Sequence, residues 1–208
     1  MPSFDLENAL SQNLVAGIDE AGRGPLAGPV SAAAVIFPKG YQPDWLNILD
    51  DSKKLSEKKR EELYLHITED EKLSWAIASA SAQEVDEINI LQATHLAVRR
   101  ADQALSEPPQ HCLIDGRPVK DFPFPSDGIV KGDSKSYSIA AASILAKVSR
   151  DRLLLQLDAE FPQYQFAKHK GYGTKVHLEA LKKHGPCREH RLTFRPVQAA
   201  VGAKATQA

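Results

Sequence analysis

The sequence predicts an α/β domain around a mixed β-sheet, and three observations carry that reading. Short apolar runs of strand composition alternate along the chain with longer segments of helical periodicity. The first two such runs, Leu14–Ile18 and Val30–Phe37, lie close together and read as strands joined by a Gly-rich turn. A chain of 208 residues, 42% hydrophobic and 25% charged, can build one sizeable core with at most a small appendage.

The remaining elements follow in order. Ser56–Leu73 is helical in composition, with Leu63, Ile67 and Leu73 set among charges, and Ser74–Ala80 alternates like a half-buried strand. Ser81 and Glu84 have capping-box spacing ahead of Val85, Ile88, Leu91, His95 and Val98, which predicts a helix from about Gln83 to Leu105, ended by Pro108 and Pro109. A strand is expected at Cys112–Ile114, a Pro-rich loop at Arg117–Pro125, a short strand at Gly128–Val130 and a long apolar helix from Ser138 to about Leu157. Thr174 caps a last helix whose end is marked by Lys182, Lys183 and His184 at the negative end of the dipole and by Gly185-Pro186. From Gln198 the chain is Ala-rich and polar and is expected to be disordered.

The longest apolar stretches, Val30–Phe37 and Ile139–Val148, fall short of the roughly 18 residues of a membrane span. Residues 1–13 carry acids rather than a basic and then an apolar region, so they do not read as a signal peptide, and a soluble cytoplasmic protein is expected. Cys112 and Cys187 read as free thiols. The formal net charge of −1 offers no overall attraction to nucleic acid. Its distribution does: between Gln165 and Arg195 stand Lys168, Lys170, Lys175, Lys182, Lys183, Arg188, Arg191 and Arg195, against Glu179 and Glu189 and beside four histidines, forming a candidate phosphate-binding face.

The most informative stretch is Gly17-Ile18-Asp19-Glu20-Ala21-Gly22-Arg23-Gly24-Pro25-Leu26-Ala27-Gly28-Pro29-Val30. Adjacent acids where an apolar strand leaves the core repel one another unless a cation sits between them. Asp115 ends the Cys112-Leu113-Ile114 run and Asp133 follows Ile129-Val130-Lys131-Gly132, so four carboxylates occupy strand ends. Taken singly, Asp115 also reads as a turn residue and Asp133 as a turn or cap residue. Together they form an all-oxygen set suited to Mg²⁺ or Mn²⁺; zinc would call for Cys/His ligands, and the chain has no C-x-x-C or H-E-x-x-H. Two such ions serve phosphodiester hydrolysis.

Rival readings fit less well. Gly22-x-Gly24-x-x-x-Gly28 has one residue too many for a dinucleotide fingerprint, and Asp19-Glu20 would set two negative charges where a pyrophosphate belongs. No Gly-Lys-Ser/Thr follows the glycines, and Gly132-Asp133-Ser134 is no nucleophile elbow. A non-catalytic RNA or hybrid-duplex binding protein would explain the lysines but leave the four carboxylates without a purpose.

Six motifs in order carry a family resemblance: Asp19-Glu20-Ala-Gly-Arg-Gly-Pro-Leu-Ala-Gly-Pro-Val30, Asp51-Ser-Lys-Lys-Leu-Ser56, Ile114-Asp115-Gly116, Lys131-Gly-Asp-Ser-Lys-Ser136, Ala141-Ala-Ser-Ile-Leu-Ala-Lys-Val-Ser-Arg-Asp151 and His169-Lys-Gly-Tyr-Gly-Thr174. Through them the chain resembles ribonuclease HII from Leu14 to about Val197. The resemblance implies a ribonuclease H-like fold at residues 14–160, preceded by an N-terminal extension (1–13) and followed by a small helical, basic substrate-binding region (161–197) and a tail (198–208). It implies an endonuclease, free of organic cofactor, that cuts the RNA strand of RNA/DNA hybrids and also 5′ of single ribonucleotides in duplex DNA, leaving 3′-OH and 5′-phosphate. Its metal-binding and catalytic acids would be Asp19, Glu20, Asp115 and Asp133. Asp151 competes for the fourth place but is expected to pair with a nearby arginine on the helix surface. Gly22, Arg23, Gly24 and Tyr172 would contact the ribonucleotide, with Ser52, Lys53, Lys54, Lys135, Lys168 and Lys170 as phosphate contacts. His190-Arg-Leu-Thr-Phe194 departs from the expected Arg-Ser-Phe. The related type 3 enzymes carry an extra N-terminal domain, for which 13 residues leave no room. A monomer is the default expectation.

Overall fold

The computed structural model describes residues 1–205, with side chains through Val201. A single helical turn, α1 (Asp5–Asn8), precedes β1 (Val15–Ala21) and β2 (Val30–Ile36). Then come α2 (Glu57–Glu69), β3 (Ser74–Ala80), α3 (Ala82–Gln103), β4 (His111–Asp115) and β5 (Ser126–Ile129). The long α4 (Tyr137–Glu160) leads to α5 (Phe166–His169), α6 (Lys175–His184) and α7 (Arg195–Ala205). The strands form one five-stranded sheet in the order β3-β2-β1-β4-β5. It is mixed, as the sequence predicts: β1 with β2 and β2 with β3 run antiparallel, and β4 runs parallel to both β1 and β5.

Side chains alternate across each strand, so the sheet buries both faces. Ile18, Val30, Ala32 and Ala34 pack with Val85, Ala97, Val98 and Ala101 of α3. On the other face Ala33 and Val35 meet Leu63 and Ile67 of α2 and Ala141, Ile144 and Leu145 of α4. Small residues let α4 lie close against β1. At Gly17 a Cβ would overlap the main chain of Ser138, so the helix start and the strand touch directly. Helix α3 begins with the expected capping box, Ser81 accepting from the Glu84 amide and Glu84 from that of Ser81, a cap worth about 1 kcal/mol. Among the described residues no helix is long and apolar enough to cross a membrane.

Several boundaries differ from expectation. β1 continues past Ile18 to Ala21, because Asp19, Glu20 and Ala21 pair with Ala33, Ala32 and Ser31. Helix α3 is kinked at Asn89, where φ is 66° and the Asn89 side chain accepts from the Leu91 and Gln92 amides. The tail expected to be disordered from Gln198 is helical as far as Ala205, with Val197 and Ala200 buried against Leu154, Leu157, Tyr164 and Phe166; residues 206–208 lie outside the described residues. That same cluster takes in Leu26 and Ala27, so the C-terminal helices share a core with the β1–β2 loop and the end of α4.

Candidate active site

The parallel pairing of β1 with β4 ends at Ile18 opposite Ile114, which sets the next residues, Asp19 and Asp115, at the same edge of the sheet. Both carboxylates are held by main-chain amides: Asp19 accepts from the Glu20 N–H at 2.6 Å and Asp115 from the Gly132 N–H at 2.6 Å. The second bond ties a 3-10 turn (Gly132–Ser134) to the end of β4, and that turn carries buried Asp133. Lys131, at φ 57°, starts the turn in the left-handed region. Lys53 reaches over from the Asp51–Ser56 loop, with Nζ 3.5 Å from the Asp133 carboxylate.

The charges of this group act on one another. Burial holds the Asp19 carboxyl well above the usual range, and the charges of Glu20, Asp115 and Asp133 push it further up, against a smaller downward pull from the Glu20 amide. Burial also raises Glu20, opposed by Arg23, whose Nη1 lies 3.2 Å from it. Asp133 is raised by burial and by Asp115 and Asp51, with Lys53 opposing.

Such a set, oxygen-only and short of positive charge, fits hard divalent cations. No group of three His, Cys, Asp or Glu side chains among the described residues forms a ready-made cage. Mg²⁺ is usually held by one or two carboxylates, with waters and substrate phosphate completing its shell. Asp19, Glu20, Asp115 and Asp133 would hold it.

One cleft beside the acids is lined by Asp19, Glu20, Gly22, Ser52, Lys53, Ser143, Lys147, Arg150 and Tyr172. A second, which shares Lys53, takes in Lys54, Asp115, Lys131 and Asp133. On the α3 side Glu20 and Asp115 border a third with Arg23, His95 and Arg117. The sequence-chosen Gly22, Arg23, Ser52, Lys53, Lys54 and Tyr172 therefore gather around the acids. Gly24 joins them, since a Cβ built on it would lie 3.6 Å from the Tyr172 ring. Lys54 is also held by Asp50, at 2.9 Å. Three lysines line none of these clefts: Lys135 and Lys168 are exposed, and Lys170 Nζ donates to the Ala167 carbonyl at 2.6 Å.

Other expectations need correction. Asp151 pairs with Lys147 at 2.8 Å rather than with an arginine, and it is buried rather than on the surface, because Lys147 lies one turn before it on the same helix face. Arg191, counted in the basic face, is fully buried, and His169, His177 and His190 are buried as well. His177 and His190 join Nε2 to Nε2 at 3.0 Å, and burial draws each down to about 4, so they carry no charge at neutral pH.

Ser143, Lys147 and Arg150 reach the first cleft from α4, and the sequence alone gave them no role. Their spacing of four and three residues puts them on one helix face, which was the available signal. Arg150 is buried and donates to the carbonyls of Pro29 (2.9 Å), Ala27 (3.0 Å) and Lys170 (3.0 Å), linking the glycine loop to the loop that carries Tyr172.

The sequence model of the family "Ribonuclease HII" matches residues 16–197. A protein named ribonuclease HII from Endomicrobium trichonymphae is 58% identical over 184 residues, covering 88% of this chain and 86% of that one. Among solved structures, the ribonuclease H2 of Pyrococcus horikoshii OT3 superposes with a TM-score of 0.73 at 24% identity, covering 93% of this chain and 98% of the other. Bst-RNase HIII in complex with Mn²⁺ superposes with a TM-score of 0.75 at 19% identity, covering 99% and 75%.

Proposed function

The chain belongs to the ribonuclease HII family, a family of metal-dependent endoribonucleases acting on RNA/DNA hybrids, and from that premise we propose that it also cuts duplex DNA 5′ of a single embedded ribonucleotide. The observation that carries the reading is the meeting, around one end of the sheet, of Asp19, Glu20, Asp115 and Asp133 with the Gly22–Gly24 loop and Tyr172.

In this reading Asp19, Glu20, Asp115 and Asp133 hold two Mg²⁺ or Mn²⁺ ions beside the scissile phosphate. When bound, such ions supply an activated water and neutralise the charge on the leaving oxygen. The chain's own residues do the rest. Lys53, drawn to Asp133, sits where it can hold a phosphate oxygen, and Ser52 and Lys54 extend that contact along the strand. Lys135, Lys168 and Lys170 are assigned to more distant phosphates.

The glycine loop reads the sugar. Gly24 has no left-handed φ and no near obstacle to a Cβ other than the Tyr172 ring, so the fold itself does not require glycine there. A close approach by substrate would. Tyr172, 47% exposed, offers its ring as a platform against the sugar from the opposite side. The proton balance is that of hydrolysis: water supplies the oxygen that stays on the 5′-phosphate, and the leaving 3′ oxygen takes up a proton to become 3′-OH. Every group named comes from one chain, and none calls on an organic cofactor.

The test is cutting of labelled duplexes that contain no, one or several ribonucleotides, with and without Mg²⁺. Cutting should occur only where ribonucleotides are present and only with metal. A protein that holds all three duplexes equally well in EDTA, and cuts none of them with metal, would instead be a binding module.

A further inference from the structure

Arg191 lies in the basic stretch of the sequence, yet its side chain is entirely buried under the glycine loop. Its guanidinium donates to the carbonyls of Gly22 (2.6 Å), Arg23 (2.9 Å), Pro25 (2.9 Å) and Gly28 (3.0 Å), and its own amide donates to the Leu26 carbonyl (2.9 Å). Every one of these acceptors belongs to the main chain. Burying a cation is costly unless its donors are met, and here the loop carbonyls meet them; an apolar side chain in its place would leave those carbonyls without a donor. What the planar fork adds is direction.

Direction matters because a trans peptide points its C=O and the following N–H opposite ways, and no peptide here is cis. Turning the Gly22 and Arg23 carbonyls toward Arg191 therefore turns the N–H groups of Arg23 and Gly24 away from it. The same loop displays the effect one step on: Pro25 gives its carbonyl to Arg191, while the next amide, that of Leu26, donates to the Gly171 carbonyl at 2.8 Å. The Arg23 and Gly24 amides donate to no group among the described residues, and both residues are exposed.

We propose that Arg191 is a positioning residue for sugar recognition, presenting the Arg23 and Gly24 amides as a donor pair to the 2′-hydroxyl oxygen and an adjoining phosphate oxygen of the ribonucleotide. The inference rests on the reading above that this loop meets the ribonucleotide. It assigns the selectivity of the loop to a residue that touches no substrate.

The experiment measures binding of a duplex with one ribonucleotide and of the same all-DNA duplex, in Ca²⁺ with the substrate verified uncut, for the unmodified protein and Arg191→Lys. The lysine keeps a positive charge and loses the fork. We expect the ribonucleotide preference to fall about tenfold, the worth of one or two hydrogen bonds, with all-DNA affinity unchanged. An anchor that merely stabilises the fold would weaken both duplexes alike. A folded Arg191→Lys protein with its full preference overturns the inference. If the variant does not fold, amide chemical shifts of the unmodified protein decide: Arg23 and Gly24 should respond to the ribonucleotide duplex and not to its DNA counterpart, and silence at both amides overturns the inference. An unmodified protein with no ribonucleotide preference removes the underlying reading as well, a result distinct from either of these.

Discussion

Asp19 and Asp115 stand one residue beyond Ile18 and Ile114, the last paired positions of two parallel strands, so both carboxylates face the same edge of the sheet. Burial, and after it the charges of Glu20 and Asp115, hold the Asp19 carboxyl well above the usual range. We expect Asp19→Asn, Glu20→Gln, Asp115→Asn and Asp133→Asn each to lower kcat by orders of magnitude while leaving duplex binding largely intact, the scale of several kcal/mol of metal-supplied charge stabilisation. Folding should not suffer, since repulsion is relieved. Asp151, bound to Lys147, is the control: if Asp151→Asn abolishes cutting and Asp133→Asn does not, the fourth acid is misassigned.

The two outer glycines of Gly22-Arg23-Gly24 should respond differently to alanine. Gly22 has φ +92° and a Cβ there would overlap the Arg150 guanidinium, so Gly22→Ala should cost on the order of 1–3 kcal/mol in denaturant unfolding. Gly24→Ala meets only the Tyr172 ring at 3.6 Å and should change stability by less than about 0.5 kcal/mol while sharply reducing cutting at a single ribonucleotide. Equal stability of the two variants would contradict this account of the loop.

Replacing Lys182 and Lys183, or Lys168 and Lys170, with glutamine should weaken binding to all duplexes alike. The slope of log affinity against log salt should shrink by about 0.9 for each phosphate that the protein no longer neutralises. Anisotropy titrations from low to high salt measure it. An unaltered slope in both double variants would mark this stretch as ordinary solvated surface.

Asp102 is buried on α3, with Cys112 Sγ 3.4 Å from one carboxyl oxygen and no partner for the other. Burial raises it from 3.8 to about 6, the Cys112 thiol opposing. The folded state therefore holds this proton more tightly than the unfolded chain does. The stability it contributes is fully present below about pH 4 and is lost as pH rises through about 6. In urea unfolding, Asp102→Asn should thus improve relative to the unmodified protein between pH 4 and pH 8, by at most about 3 kcal/mol. A stability difference that does not vary with pH would show that the carboxyl is ionised in the fold throughout.

Much of this was legible in the sequence. The order of strands and helices followed from period and caps; Asp19 and Asp115 stood out because acids directly after apolar runs are expensive to place, and Asp133 through the resemblance carried by Lys131-Gly-Asp-Ser-Lys. Less visible were features decided by tertiary packing. β1 runs on to Ala21 because β2 extends alongside it, which a composition change at Asp19 conceals. Arg191 reads as part of a basic face and Arg150 has no role in the sequence reading, since nothing local shows that the carbonyls of a loop more than 100 residues away will surround them. The tail looked disordered because the apolar surface that receives Val197 and Ala200 is built by Leu154, Leu157, Tyr164 and Phe166.

The most direct test of the central claim is the cut site, at single-nucleotide resolution, on an end-labelled DNA duplex carrying one ribonucleotide in Mg²⁺. The account predicts one nick on the 5′ side of the ribonucleotide, with a 3′-OH and a 5′-phosphate. Tyr172→Ala should cut this substrate far more slowly, since misplacement of about 1 Å at a reacting centre can cost 10²-fold. Tyr172→Phe, which keeps the ring, should retain most activity. Cutting of long hybrids with none at the single ribonucleotide, or a nick on its 3′ side, would contradict the account.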